Sequence, residues 1–286
     1  MGFLLGGRVA VLLVCAAVAA AVIAMDHKLT AWDELPFNGF GSIEPVVKKT
    51  ATLPARYRVL LPWAYWLIFW MLGGEDDPPE RRPIYLFLKW GLAFLSLSVA
   101  TYFFSPVVAL ALAIGWLLTL QYDYWSCYAE PLAFLLVLTG NVPLAIVGVI
   151  IGTLTKQTAI FLPFVFLSVG GGWWSVLLAG VYSVTDLITK RYQGKGDRSD
   201  AARKPMNVAF HYIWDKEPEW RYWLLFGWGL VVMSFVAIAH FQYMPSPFME
   251  TAWVPMAVCC AAFFGAMIHE PRVMVLNVLW IGSLMA

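Results

Sequence analysis

The chain has 286 residues, of which 61% are hydrophobic and only 13% are charged, and its formal net charge is +1. Soluble domains carry about 25% charged residues, so this composition excludes an ordinary soluble protein. The near-neutral charge gives no reason to expect a nucleic-acid partner. We expect an all-α, polytopic transmembrane protein with roughly 9–11 helices, forming a single membrane domain over 1–286.

The first apolar run covers 9–24. Together with its flanks it approaches the roughly 20 residues that a membrane-crossing helix needs. It is long for the apolar part of a cleaved signal peptide. We expect a retained helix whose N-terminus lies in the cytoplasm. The protein is then an integral, multi-pass protein of the inner or plasma membrane.

Charged side chains follow this helix at once, since Asp26, His27, Asp33 and Glu34 lie within nine positions. We predict that 26–57 forms the first external loop, with an amphipathic helix in its polar second half. Carboxylates held just outside the end of a membrane helix are a candidate catalytic site. The alternative is that they only mark the exit of the chain into water.

Two further apolar runs, 83–104 and 105–120, are predicted to cross the membrane. Lys89 lies near one end of the first run, where its aliphatic stem can reach along lipid to water. Asp123 and Glu130 then interrupt the apolar sequence and are seven residues apart. Seven residues make about two helical turns, so both carboxylates share a face if this stretch is helical.

Short apolar runs broken by glycine or proline come next, at 131–139, 142–154 and 159–169. Broken helices in membrane proteins usually line a cavity, because lipid cannot satisfy irregular backbone. Lys156 lies at one of these breaks, within the polar sequence Thr-Lys-Gln-Thr. A lysine that ends an apolar helix is usually an interfacial anchor, but this one is better placed than most for binding.

The run 173–188 contains Asp186, which we expect to pair with Lys190 one helical turn later. The longest hydrophilic stretch, 189–220, is predicted to be a polar loop rich in basic residues. Three more apolar runs, the last of them short, follow that loop and complete the predicted set of helices.

The sidedness of the candidate groups depends on 57–72, which is apolar but short. If this segment crosses the bilayer, the basic loop is cytoplasmic as the positive-inside rule requires, but Asp123 and Lys156 lie opposite Asp33. If the segment only dips into the membrane, these groups share the outer face with Asp33. The basic loop then lies outside as well. The sequence leaves both arrangements open.

Glycosyl transfer from a lipid-linked sugar phosphate suits these groups. The acceptor needs a carboxylate as general base, and the donor phosphate needs fixed cations. Asp33 and Glu34 could meet the first need. The cations for the second are Lys156, Arg272 and Arg58. The four cysteines show no metal-ligand spacing, so no metal is expected.

Four short motifs resemble those of the GT-C superfamily of integral-membrane glycosyltransferases, and the chain looks like a compact or truncated member. They are Trp32-Asp33-Glu34, Tyr57-Arg58-Val59-Leu60-Leu61-Pro62, Thr155-Lys156-Gln157-Thr158 followed by Leu162-Pro163, and Glu270-Pro271-Arg272. The resemblance implies inverting transfer of a sugar from a polyprenyl-phosphate-linked donor to an acceptor on the non-cytoplasmic face. It implies no cofactor, and it favours the arrangement in which 57–72 is re-entrant.

The resemblance also assigns roles to residues. The catalytic candidates are Asp33, Glu34 and Asp123. The substrate-binding candidates are Arg58, Glu130, Lys156, Glu270 and Arg272. The expected partners are membrane lipids, the lipid-linked donor and other subunits of a membrane complex.

The alternative function is that of a non-catalytic GT-C-like subunit in a larger membrane complex, since many members of the superfamily are longer. Ion or solute transport is a third class, which the scarcity of charges within the apolar runs disfavours.

Overall fold

The computed structural model describes residues 2–29, 43–51, 57–72, 82–118 and 125–194. Within these ranges 87% of residues are helical and no strand occurs, which confirms the helical class. The α-helices of the described ranges are α1 (Gly2–Leu29), α2 (Ile43–Val47), α3 (Leu60–Met71), α4 (Arg82–Val99), α5 (Pro106–Leu118), α6 (Ser126–Leu138), α7 (Val142–Thr155), α8 (Leu162–Ser168) and α9 (Trp174–Gln193). Five π-helical residues, Ala100–Phe104, extend α4, and a 3₁₀ turn, Gln157–Phe161, precedes α8.

Two of these helices are long and apolar enough to cross a membrane, over Val9–Asp26 in α1 and Pro83–Phe104 in α4 with its extension. Two ends differ from the sequence prediction. Helix α1 continues to Leu29, so Asp26 lies inside a helix and not in the loop predicted from residue 26. Helix α9 likewise continues to Gln193, past the predicted start of the polar loop. The apolar runs after residue 194 lie outside the described residues.

Helix α6 forms the centre of the described bundle, because every residue in it except Cys127 is buried. It contains Pro131, which has no N–H and leaves the carbonyl of Cys127 without its helical donor. The indole of Trp116 on α5 donates to that carbonyl at 2.9 Å. The proline is therefore accommodated in the core with its displaced hydrogen bond replaced.

Two glycines of α7 allow close packing against the neighbouring helices α6 and α8. A Cβ on Gly148 would lie 2.6 Å from the carbonyl oxygen of Ala133 on α6, and one on Gly152 would lie 2.7 Å from a methyl carbon of Leu162. Small residues four apart let two helix backbones approach, as is common between membrane helices. The position of α7 against α6 and α8 therefore depends on these glycines.

Substituting Gly148→Ala is expected to cost about 1–3 kcal/mol of unfolding free energy, because the new methyl group meets backbone that cannot move aside. Gly180→Ala on α9 is the matched control, since a Cβ there meets nothing within 4 Å. It should be neutral or gain up to about 1 kcal/mol from higher helix propensity. Denaturant unfolding in detergent measures both, and equal effects would contradict the close packing.

The turns at one end of the bundle are well defined. Gly140 has φ +69°, a left-handed conformation that favours glycine, and Asn141 caps α7 by accepting from the N–H of Leu144 at 3.2 Å. The predicted break at Gly140-Asn141 is confirmed. A Cβ on Gly140 would lie 3.9 Å from the carbonyl oxygen of Val169, so the turns after α6 and α8 lie together. We call this the turn end.

The opposite end, which we call the site end, brings together several helix termini. Asp26 of α1 contacts Lys89 in the second turn of α4 and Tyr128 in the first turn of α6. At the C-terminus of α7, the carbonyl of Leu154 accepts a 2.8 Å hydrogen bond from the N–H of Val59, just before α3. Helices α1 and α7 therefore end where α4 and α6 begin.

Helix α3 begins at the site end, and so does α4, the next helix along the chain. It packs Leu61 and Tyr65 against Tyr85 of α4 and Trp125 beside α6. With 12 residues at 1.5 Å each it is about 18 Å long. Helices α3 and α4 thus both begin at the site end.

The C-terminus of α9 reaches the site end too. The ring of Tyr192 lies 5.3 Å from that of Trp63, and the ammonium of Lys49 lies 3.9 Å above it. Two residues earlier, Lys190 donates to Asp186 at 2.6 Å, which confirms the predicted pair. That hydrogen bond raises the pKa of Lys190 above its usual value, so the residue stays an ammonium at neutral pH.

Candidate functional site

Lys156 lies where α7 ends, and its own backbone causes the break. Its φ and ψ of −163° and 151° are extended, while its N–H still closes the last helical hydrogen bond to Gly152 at 2.8 Å. Its ammonium lies 3.4 Å from Oε1 of Glu130 on α6. The two side chains are only 4% and 9% exposed. Lys156 is thus one half of a buried ion pair and not an anchor that reaches into water.

The carboxylate of Glu130 is held by charge more than by hydrogen bonds. Its Oε1 atom is buried, and no hydrogen bond to it is formed within the described part of the chain. Burying an ionised oxygen without full hydrogen bonding is costly. Such a group gains from a polar ligand that can donate to it, for example a sugar hydroxyl.

Arg58 is brought to the same place by the segment that precedes α3. It is buried, with 9% of its surface exposed. It comes one residue before Val59, whose N–H binds the carbonyl of Leu154 two residues before Lys156. This backbone hydrogen bond places the motif that contains Arg58 beside the end of α7, directly before the motif that contains Lys156. Three predicted substrate-binding residues, Arg58, Glu130 and Lys156, belong to this one region.

The remaining predicted site residues cannot be located relative to this pair. They are Asp33, Glu34, Asp123, Glu270 and Arg272, all of which lie outside the described residues. Among the residues that are described, no group of three or more His, Cys, Asp or Glu side chains could hold a metal ion.

A second buried ionic cluster was not predicted. Oδ2 of Asp26 accepts a hydrogen bond from the ammonium of Lys89 at 2.6 Å and another from the hydroxyl of Tyr128 at 2.9 Å. Lys89 is fully buried and Asp26 is 1% exposed, so the prediction that Lys89 extends toward water is wrong. We call Asp26, Lys89 and Tyr128 the buried triad.

The buried triad joins three helices that are far apart in sequence. Its charges are paired, and the ammonium of Lys89 also lies 5.4 Å and 5.6 Å from the ring centroids of Tyr85 and Tyr128. Cations over aromatic faces gain a further electrostatic attraction. The sequence does hold a signal for it, since an ionisable residue in a long apolar helix is expected to have a partner on another helix.

The first turns of α6 connect the two clusters. Tyr128 belongs to the buried triad and Glu130, two residues later, faces Lys156. The hydroxyl of Ser96 on α4 also donates to the carbonyl of Tyr128 at 3.0 Å. This short stretch of α6 is therefore fixed from α1, α4 and α7 at once.

These features define a helical protein with a buried, charged site at one end of its bundle. Comparison with protein-family models, curated proteins and solved structures finds no match to the chain. Its function therefore has to be argued from the site itself.

Proposed function

We propose that this protein is a multi-pass membrane glycosyltransferase that moves a sugar from a polyprenyl-phosphate-linked donor to an acceptor on the non-cytoplasmic face. The observation that carries the proposal is the convergence of Arg58, Glu130 and Lys156 at the site end from three separate segments. Fixed, buried cations bind phosphate oxygens strongly, because little water competes for them.

The surface of the described helices supports a membrane location. Large apolar side chains are exposed along α1, α4, α5 and α9, where a soluble protein would rarely leave so many. Among the most exposed are Leu13 (65%), Phe87 (62%), Val107 (72%), Leu110 (60%) and Leu187 (64%). In lipid these side chains incur no cost. The start of α3 and the start of α4 lie at the same end as the C-termini of α1 and α7, which supports the arrangement in which Lys156 and the end of α1 share one membrane face.

The reaction needs an acceptor hydroxyl, a base and a stabilised leaving group. The acceptor oxygen attacks the anomeric carbon, the bond from that carbon to the phosphate oxygen breaks, and polyprenyl phosphate leaves with the bonding electrons. The hydroxyl proton passes to a carboxylate, for which Asp33 is our candidate. Asp33 follows Leu29 by four residues in the sequence, a chain length of at most about 14 Å. Arg58 and Lys156 stabilise the charge on the phosphate.

Transfer by the purified protein tests the proposal. The protein would be reconstituted in liposomes with polyprenyl-phosphate-linked sugars and a panel of lipid and peptide acceptors. We expect release of polyprenyl phosphate in step with formation of a glycosylated acceptor. Folded protein that transfers no sugar from any donor would overturn the enzymatic proposal.

The membrane arrangement makes its own prediction about sidedness. Single cysteines replace Lys48 at the site end, 67% exposed, and Trp173 at the turn end, 89% exposed, in a background lacking the four native cysteines. An impermeant thiol reagent should label one of them in intact cells and the other only after permeabilisation. Labelling of both from the outside would contradict a bundle that spans the bilayer between these ends.

The second candidate function is that of a non-catalytic subunit of a membrane complex. One observation favours it: Lys156 is only 5% exposed, and its charge is already neutralised by Glu130 without any ligand. A subunit would keep this pair closed. Reconstituted protein that binds no lipid-linked donor, yet copurifies with other membrane proteins in fixed ratio, would favour this function over catalysis.

A further inference from the structure

We propose that the buried triad of Asp26, Lys89 and Tyr128 positions Glu130 against Lys156, and that these three are positioning residues of the site. The inference concerns contacts that exist whatever the reaction is. Its importance for sugar transfer rests on the proposed function.

The buried triad fixes the start of α6. The hydroxyl of Tyr128 donates to Asp26 at 2.9 Å, and Asp26 is itself held by Lys89 at 2.6 Å. Hydrogen bonds to charged groups are stronger than neutral ones, and burial strengthens them further. Tyr128 therefore cannot shift without weakening its bond to a buried carboxylate.

Glu130 moves with Tyr128. The two residues are two positions apart on a rigid helical turn, and side chains at that spacing point to different sides. One side of the turn is thus bound to α1 while the other faces the end of α7. Pro131 comes directly after Glu130 and removes one helical hydrogen bond from this turn. The turn consequently depends on outside contacts more than an unbroken helix would.

Glu130 itself is held only loosely by the described residues. Its contact to Lys156 is 3.4 Å long, and Oε1 accepts no hydrogen bond from the described residues. A loose ion pair responds to small displacements of its helix. The short, charge-assisted contacts of the buried triad therefore determine the distance between Glu130 and Lys156, which this ion pair does not fix by itself.

The test measures the Glu130–Lys156 contact by chemical coupling and needs no enzymatic activity. Dicyclohexylcarbodiimide is apolar enough to reach buried carboxylates, and the carboxyl group adds to it to form an O-acylisourea. A touching amine then displaces dicyclohexylurea and forms an amide, so the coupled pair is lighter by one water. Mass spectrometry of the digested protein reads each coupled pair. The exposed pair Asp186–Lys190, 2.6 Å apart, is the reference in every sample.

Tyr128→Phe removes only the hydroxyl and leaves the Asp26–Lys89 pair in place. We expect Glu130–Lys156 coupling to fall about tenfold relative to the reference, as for the loss of a hydrogen bond to a charged group. Asp26–Lys89 coupling should persist and show that the fold is intact. Tyr102→Phe, which removes the hydroxyl of an exposed side chain in the extension of α4, is the control and should change neither yield.

A second variant keeps the proposal testable if Tyr128→Phe does not fold. The triple change Asp26→Leu, Lys89→Met and Tyr128→Phe replaces the whole triad by apolar side chains. It should fold and still lose Glu130–Lys156 coupling. Unchanged coupling in either folded variant, or no Glu130–Lys156 product in the unmodified protein, would overturn the inference. Absence of sugar transfer with the expected coupling pattern would count against the proposed function alone.

Discussion

Lys89→Met is expected to lower the free energy of unfolding by about 3–5 kcal/mol, the usual cost of removing one partner of a buried ion pair. The methionine fills much of the same space, so the loss comes from charge and not from a cavity. Asp26, which is 1% exposed, would keep a hydrogen bond to Tyr128 but lose the neutralising ammonium 2.6 Å away. Denaturant unfolding in detergent, followed by tryptophan fluorescence, measures the loss.

The apolar triple variant is the control for this prediction. Well-packed apolar side chains often replace a buried ion pair at little cost, because the desolvation penalty of both charges disappears. The triple variant should therefore recover most of the stability that Lys89→Met loses. If single and triple variants are equally unstable, the loss reflects packing at residue 89 and not the removal of the ammonium beside Asp26.

Much of the helical pattern could be predicted from the sequence because it rests on local signals. The break between α6 and α7 was readable from Gly140-Asn141, since a positive φ and an N-cap are properties of those residue types. The pairing of Asp186 with Lys190 was equally local, because residues four apart meet on any helix.

The buried triad was not predicted because its members meet only through tertiary packing. Asp26 and Lys89 are 63 positions apart, and Tyr128 is a further 39 positions along the chain, so no helical or strand spacing links them. Lys89 taken alone fits an interfacial anchor, and only the approach of α1 to α4 makes it a core residue. The extension of α1 past Asp26 was missed for the same reason. Asp26 can lie within the helix because Lys89 on α4 and Tyr128 on α6 bind its carboxylate.

Hydropathy leaves the path of 57–72 open, and tertiary contacts locate only part of it. An apolar run of this length suits either a short crossing or a re-entrant helix. The bond from Val59 to Leu154 and the packing of Tyr65 on Tyr85 put the first half of this segment at the site end, where α4 also begins. Tyr128 on α6 contacts Asp26 of α1, and Glu130 on α6 contacts Lys156 at the end of α7. The candidate groups therefore lie at the same end of the bundle as the C-terminal turn of α1, as a single catalytic site requires.

Lys156→Gln is expected to reduce the rate of sugar transfer by about 10²–10³, the usual effect of removing one fixed group that stabilises developing charge. Glutamine keeps a hydrogen-bond donor near Glu130 but cannot neutralise the leaving phosphate. The matched control is Lys190→Gln, which removes a cation that lies at the same end but is 47% exposed and paired with Asp186. Initial rates with a radiolabelled lipid-linked donor in liposomes measure both variants.

The effect of Lys156→Gln on transfer rate and on stability distinguishes the two candidate functions. An enzyme should lose transfer in Lys156→Gln and keep it in Lys190→Gln, because only the first ammonium is buried beside Glu130 and the Arg58 segment. A non-catalytic subunit has no transfer to lose, and removing the lysine would instead leave the Glu130 carboxylate buried without the ammonium that neutralises it. In that case Lys156→Gln should lower the free energy of unfolding. The double variant Lys156→Gln with Glu130→Gln should recover part of that loss. Transfer that survives Lys156→Gln at full rate would exclude this lysine from binding the donor phosphate.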